Sequence, residues 1–267
     1  MRNATCMADH SEVQHGFRKL NAQAGFKPLT DLFDRELAGA GTEAVNLFNQ
    51  WWGDTQLETY IASISEHDAH EDTHGRLSMW RAFGGGQTGR VAFVLKIPSS
   101  EPVGALLNLW VSPVEYFSDD QLADELRALT ANVQTKIDVL KEASRQMLIG
   151  AIFYMLVAAI VCLKHEGFLE EREWRIVHNP KRASTPLMRS DIEVINGIPQ
   201  LVFKIPIGGG PPDELDVLSL NNLLDRIIIG PTPYPWAMYQ AFVTALTDAG
   251  VPDAATKVFV SGIPIRS

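Results

Sequence analysis

Two carboxylates two residues apart, Glu171 and Glu173, are followed by Arg175 and interleaved with Trp174 and Ile176 in the stretch HEGFLEEREWRIVHNP, residues 165–180. On an extended strand successive side chains point to opposite faces. Glu171, Glu173 and Arg175 then share one face, and Trp174 and Ile176 the other. The expectation is a strand over Arg172–Val177 with Trp174 and Ile176 in the core and Glu173 facing a cleft. The stretch TYIASIS, residues 59–65, offers hydroxyls by the same alternation: Ser63 and Ser65 lie on one face with Ile61, opposite Tyr60, Ala62 and Ile64. A hydroxyl face set against a two-carboxylate face can hold a sugar ring. The hydroxyls orient it and a carboxylate stabilises a developing oxocarbenium ion. From pattern alone the plainer account is a half-buried strand with a solvated charged face, on which Arg175 is an ion-pair partner worth little.

A second candidate is HEDTH, His70–His74, which has the spacing of the H-E-x-x-H zinc motif, with His67 one helical turn earlier. That motif needs a helix that carries both imidazoles on one face and Glu71 as general base. Asp72 puts a charge where such a helix buries a neutral residue, and Gly75 follows at once. A solvated loop without metal is the expectation. Two glycine-rich stretches, Gly84–Gly89 and Gly208–Asp213, lack both the strand-to-helix setting and the Lys-Ser/Thr of a phosphate loop, so they read as turns.

The elements that must position these residues follow from periodicity. The chain has 267 residues, is 46% hydrophobic and 21% charged, and can build a full core. Residues 1–55 read as a helical N-terminal segment, and 56–267 as a single α+β domain. Strands are expected at LETYIASISE, VAFVLKI, LLNLWVSPVEYF, LDRIIIGP and TKVFVSGIPI. A hairpin is expected at IEVINGIPQLVFKIPI, turning at Asn196-Gly197, with Pro199 marking an edge strand or a delayed start. One long helix is expected from about Gln121 through Leu163. Its uncharged portion, Met147–Leu163, reads as a buried core helix rather than a membrane span. A further helix should end at Gly250. Helices, a strand cluster, a long helix and further strands favour α+β with a mixed sheet packed against a long central helix.

The net charge of −9 argues against nucleic acid and anionic membranes as partners. Two distant cysteines, Cys6 and Cys162, exclude a disulfide framework and a cysteine zinc ribbon, and fit a reducing cytoplasm. The opening residues lack the apolar core of a signal peptide.

The segments SISEHD, LSMWRAFGGGQTGRVAFVLKI, KHEGFLEEREWRIV, DRIIIGP and VSGIPIR, in that order, resemble a bacterial family catalogued as domain-of-unknown-function family 2971, over about Thr59–Ile97 and from Leu163 onward. Ser65, Met79-Trp80, Glu171-x-Glu173-Trp174-Arg175 and Gly230-Pro231 carry the resemblance. The aromatic–basic–aromatic strand and Asn-Asp-Pro-like turn usual at the family's start are not found, and LTDLFDREL stands there instead. The family's motif order looks like that of ADP-ribosyltransferases, with an early basic or His residue, a Ser-containing strand and a late Glu-x-Glu. That resemblance implies NAD as the cofactor, Glu173 as the catalytic carboxylate and Glu171 on the acceptor side. It places Ser63, Ser65, Trp80 and Arg175 on the cofactor side, with Trp80 stacking on an aromatic ring. A non-catalytic interaction module of the same fold, and a zinc hydrolase using HEDTH, are the alternatives.

Overall fold

A computed structural model describes residues 1–6, 11–22, 26–83, 90–98, 101–208 and 213–264. The glycine-rich stretch Gly84–Gly89, residues 209–212 of the second, and the last residues of VSGIPIR lie outside the described residues. In chain order the strands are β1 (Arg2–Asn3), β2 (Tyr60–Ser65), β3 (Val91–Leu95), β4 (Leu109–Pro113), β5 (Glu115–Tyr116), β6 (Leu163–Lys164), β7 (Glu173–His178), β8 (Arg189–Ile195), β9 (Ile198–Lys204), β10 (Leu224–Ile229) and β11 (Val258–Val260). With the helices between them they make an α+β fold.

The residues pack as two units that interleave along the chain. One comprises Met1–Ile64, Asn108–Pro186 and Ser190–Lys204, and the other Ser65–Leu107, Leu187–Arg189 and Ile205–Ser267. The units therefore part elsewhere than at residue 55, because the helices before β2 pack on the later helix Arg145–Val161.

In the first unit six strands run in the order β4-β7-β2-β1-β9-β8, so β2 and β7 are neighbours. A separate parallel pair joins β5 to β6, with Tyr116 opposite Lys164. The helix Arg145–Val161 buries Phe153, Leu156, Val157, Ile160 and Val161 against Ile61 of β2, Val177 of β7, and Leu20 and Phe48 of the N-terminal helices. Its apolar residues surround it, as burial on several sides requires. Among the described residues no helix is long and apolar enough to cross a membrane.

The single long helix expected from Gln121 is three: Asp119–Thr135, Ile137–Lys141 and Arg145–Val161. Ser144 ends the run. Its backbone is extended, and its hydroxyl accepts from the Met147 N–H at 3.3 Å, so a helix begins there rather than continues. The hairpin turns with positive φ at both Asn196 (53°) and Gly197 (79°), as a type I′ turn requires. Pro199 does not sit on an edge strand, since β8 is the edge and β9 lies between β8 and β1. β1 is two residues long and reaches β9 only at Val202, so no ladder bond is asked of Pro199 on that side.

In the second unit β10 pairs parallel with β11 and antiparallel with β3. Leu224, Ile227 and Ile229 pack with Leu246 of the helix Pro235–Asp248 and with Val251 and Val258. Gly250 follows that helix with φ 74°.

Candidate functional site

The strand expected over Arg172–Val177 is β7, with the opposite face buried. Glu173, Arg175 and Val177 are buried, whereas Trp174 and Ile176 are only partly so. The alternation is the one expected. The assignment of Trp174 and Ile176 to the core, with Glu173 facing a cleft, is overturned because the charged face carries its own counter-ions and can therefore be buried.

Glu173 is 6% exposed and Arg175 1%. The Arg175 guanidinium donates from Nε to Glu173 Oε1 at 2.9 Å and from Nη2 to Oε2 at 3.4 Å, and it also donates to the Val161 carbonyl. Lys164 Nζ, at the end of β6, donates to Glu173 Oε2 at 3.2 Å and to Glu171 Oε2 at 2.6 Å. Ser63, on the neighbouring strand β2, donates its hydroxyl to Glu173 Oε1 at 2.5 Å. The Tyr116 hydroxyl on β5 accepts the Glu173 backbone N–H at 2.9 Å. Side chains of three strands, β2, β6 and β7, thus converge on one carboxylate, and Tyr116 of a fourth holds its backbone. Ser63 is exposed, so the cluster reaches the surface through that hydroxyl.

Burial by itself pushes the Glu173 pKa up. Arg175, followed by the Ser63 hydroxyl and Lys164, more than offsets it, and the net direction is down. The carboxylate is therefore held ionised. Cys162, two residues before Lys164, shows the opposite balance: its thiol is pushed up to about 11 by burial and is inert at neutral pH.

The other cofactor-side residues do not join this cluster. Ser65, one step further along β2 than Ile64, accepts from Arg76 Nη1 at 3.1 Å. Arg76 in turn holds the buried Glu71 through Nε at 2.7 Å and Nη2 at 3.1 Å. Trp80 is not available for stacking. Its ring lies against Gly75 and Gly230, where a Cβ would come within 2.6 Å and 2.8 Å of it, and its Nε1 donates to the His74 carbonyl at 2.8 Å. Arg175 is not open to a ligand either, being spent on Glu173 and Val161.

HEDTH is not a helix. Ala69–Glu71 form a 3-10 turn capped by Asp68, whose partner in the capping box is Glu71. His70 projects outward at 77% side-chain exposure, while His74 Nδ1 meets the Ser261 carbonyl. The two imidazoles therefore do not share a face. Asp68, His70 and Glu71 do bring potential ligand atoms within 4.8 Å of one another, but Glu71 is committed to Arg76.

Sequence reasoning missed Lys164 and Tyr116. Lys164 had a signal, since it is the first charge after the uncharged run Met147–Leu163 and immediately precedes the acidic turn. Tyr116 had none, because only the β5–β6 pairing brings it to Glu173.

Residues 79–176 match the model of a family described as Protein of unknown function (DUF2971), which is the family that the motif order resembles. The matched range contains Trp80, Tyr116, Lys164, Glu171, Glu173 and Arg175, and begins after Ser63 and Ser65. No curated protein and no solved structure matches the chain.

Proposed function

We propose that Ser63, Glu171 and Glu173 form the reactive centre of an NAD-using, ADP-ribosyltransferase-like enzyme that acts in the cytoplasm. The observation that carries this reading is the 2.5 Å hydrogen bond from the exposed Ser63 hydroxyl to a buried, ionised carboxylate 110 positions away. A serine in contact with solvent and a carboxylate directly behind it is the arrangement that recognition of a ribose calls for.

In the reaction, the bond between ribose C1′ and the nicotinamide nitrogen breaks, and its electron pair leaves with neutral nicotinamide. The cationic character that develops at C1′ is met by the negative charge of Glu173. The acceptor then attacks C1′ and yields its proton to Glu171, whose side chain retains 17% exposure. Ser63 orients the ribose. Arg175 acts through Glu173, as a positioning residue. Trp80 and Ser65 have no part in this reading. Cys6 and Cys162 are both free thiols, in keeping with a reducing compartment.

A second reading rests on one observation: both Glu173 oxygens are already engaged by Arg175, as in a purely structural ion cluster of a non-catalytic interaction module. One experiment separates the two. NAD binding is measured by calorimetry and nicotinamide release by chromatography, for the unaltered protein and for Ser63→Ala and Glu171→Gln, which leave the Glu173–Arg175 pair intact. The enzyme reading expects binding, slow release, and a loss of about 10²-fold in each variant with unchanged melting. No binding and no release with any acceptor would leave the structural reading standing.

A further inference from the structure

Glu173 and Lys164 are buried, yet the segment beside them is not. The 3-10 turn Glu166–Glu171 contributes no buried residue, so core packing does not hold it. Phe168 is 39% exposed and Leu169 62%, but the Phe168 ring lies 4.7 Å from Lys164 Nζ and shields that amine. The turn's far end is tied down by Glu171, which accepts from the same Nζ. Its near end is capped by His165, whose Nδ1 accepts the Gly167 N–H at 3.0 Å. Where the turn joins β7, Arg172 adopts a left-handed conformation, φ 43° and ψ 53°, which a side chain other than glycine seldom takes. A segment held by polar contacts at its two ends, outside the core and ending at a strained residue, has the features of a locally opening unit.

We propose that Glu166–Glu171 is a strap, hinged at Arg172 and latched by Lys164, whose opening exposes the paired carboxylates Glu171 and Glu173. Closed, it shields Lys164 and keeps Glu171 paired. Open, it releases Glu171 from the ammonium and uncovers Lys164, which stays on β6 beside Glu173. The strap rests on the NAD reading only for what the opened site does, not for its existence.

The reactivity of Lys164 measures the opening directly. The full-length protein is treated with a lysine-acylating reagent, and modification of Lys164 is followed by peptide mass spectrometry, with the exposed Lys136 as internal standard. In the unaltered protein, Lys164 should react slowly and at a rate that does not change with urea below the unfolding transition, the signature of a local opening. Phe168→Ala should raise that rate roughly tenfold while Lys136 and the melting temperature stay unchanged. Arg172→Gly, which removes the strain of the closed hinge, should slow it. Lys164 reacting as fast as Lys136 in the unaltered protein would overturn the proposal, as would a rate that climbs with urea in step with global unfolding. So would a Phe168→Ala rate equal to that of the unaltered chain. Because no NAD is present, these outcomes are independent of nicotinamide release: a strap that opens on a protein that never turns over NAD would sink the enzyme reading alone.

Discussion

Glu173 in the first unit and Glu71 in the second are each 6% exposed, and each is gripped by an arginine through two nitrogens. A serine of β2 stands near each. The partners, however, come from different distances. Everything named around Glu71 lies between Ser65 and Arg76: the arginine five residues on, the Asp68 N–H three residues back, and Ser65 reached through the arginine. Glu173 takes Arg175 from its own strand, but Lys164 from β6, Tyr116 from β5 and Ser63 from β2. The first arrangement closes a loop. The second exists only once a sheet has assembled. The serine differs as well, meeting the carboxylate at Glu173 and the guanidinium at Glu71. A hydroxyl resting on an ionised carboxylate is a candidate for substrate recognition, whereas one resting on an arginine completes an ion pair.

The largest test of this contrast is Arg175→Met. It leaves Glu173 buried with only Lys164 and the Ser63 hydroxyl among its named donors and strips the Val161 carbonyl of a donor, so a urea titration should show a loss of about 3–5 kcal/mol. Arg76→Met breaks the matching pair, but Arg76 keeps 15% side-chain exposure and water can reach Glu71 more easily. The expected loss is about 2 kcal/mol. Equal losses at the two sites would erase the distinction between a sheet-dependent and a loop-closing pair.

Trp174→Ala should cost less still, about 1–2 kcal/mol, because the ring is only partly buried and less surface is lost than in a full core truncation. A Trp174→Ala loss exceeding that of Arg175→Met would reverse the burial of the two faces of β7.

The smallest effect is the pH dependence. The folded-state pKa of Glu173 lies below its ordinary value of 4.5. The stability it contributes is therefore fully present above that value and is lost as pH falls through the lower folded value. In Glu173→Gln the acid limb of the stability profile should flatten by up to about 1.4 kcal/mol per pH unit within that window. An unchanged acid limb would mean that the carboxylate is not held ionised by its neighbours.

Much of the architecture is legible along the chain. Alternation places Glu173 and Arg175 on one face, Asn196-Gly197 marks the hairpin turn, and the uncharged run marks the central buried helix, because each of these signals is local. Helix continuity is not, since Ser144 caps a new helix inside an otherwise helical pattern. The glycines beside Trp80 are visible in sequence, but that their backbones press against its indole depends on where Gly230 comes to lie.

By itself the sequence determined that Glu173 and Arg175 share a face of one strand, that Ser63 lies on a strand, that HEDTH lacks the surroundings of a zinc helix, and which family residues 79–176 match. Which face of β7 would be buried was decided only in three dimensions. A period of two says that faces alternate but not which one finds its counter-ions, and a buried charge is tolerated only where partners are supplied. Those partners, Lys164 and Ser63, reach Glu173 through the pairing of β5 with β6 and the adjacency of β2 and β7. Neither pairing leaves a mark in the local pattern of residues.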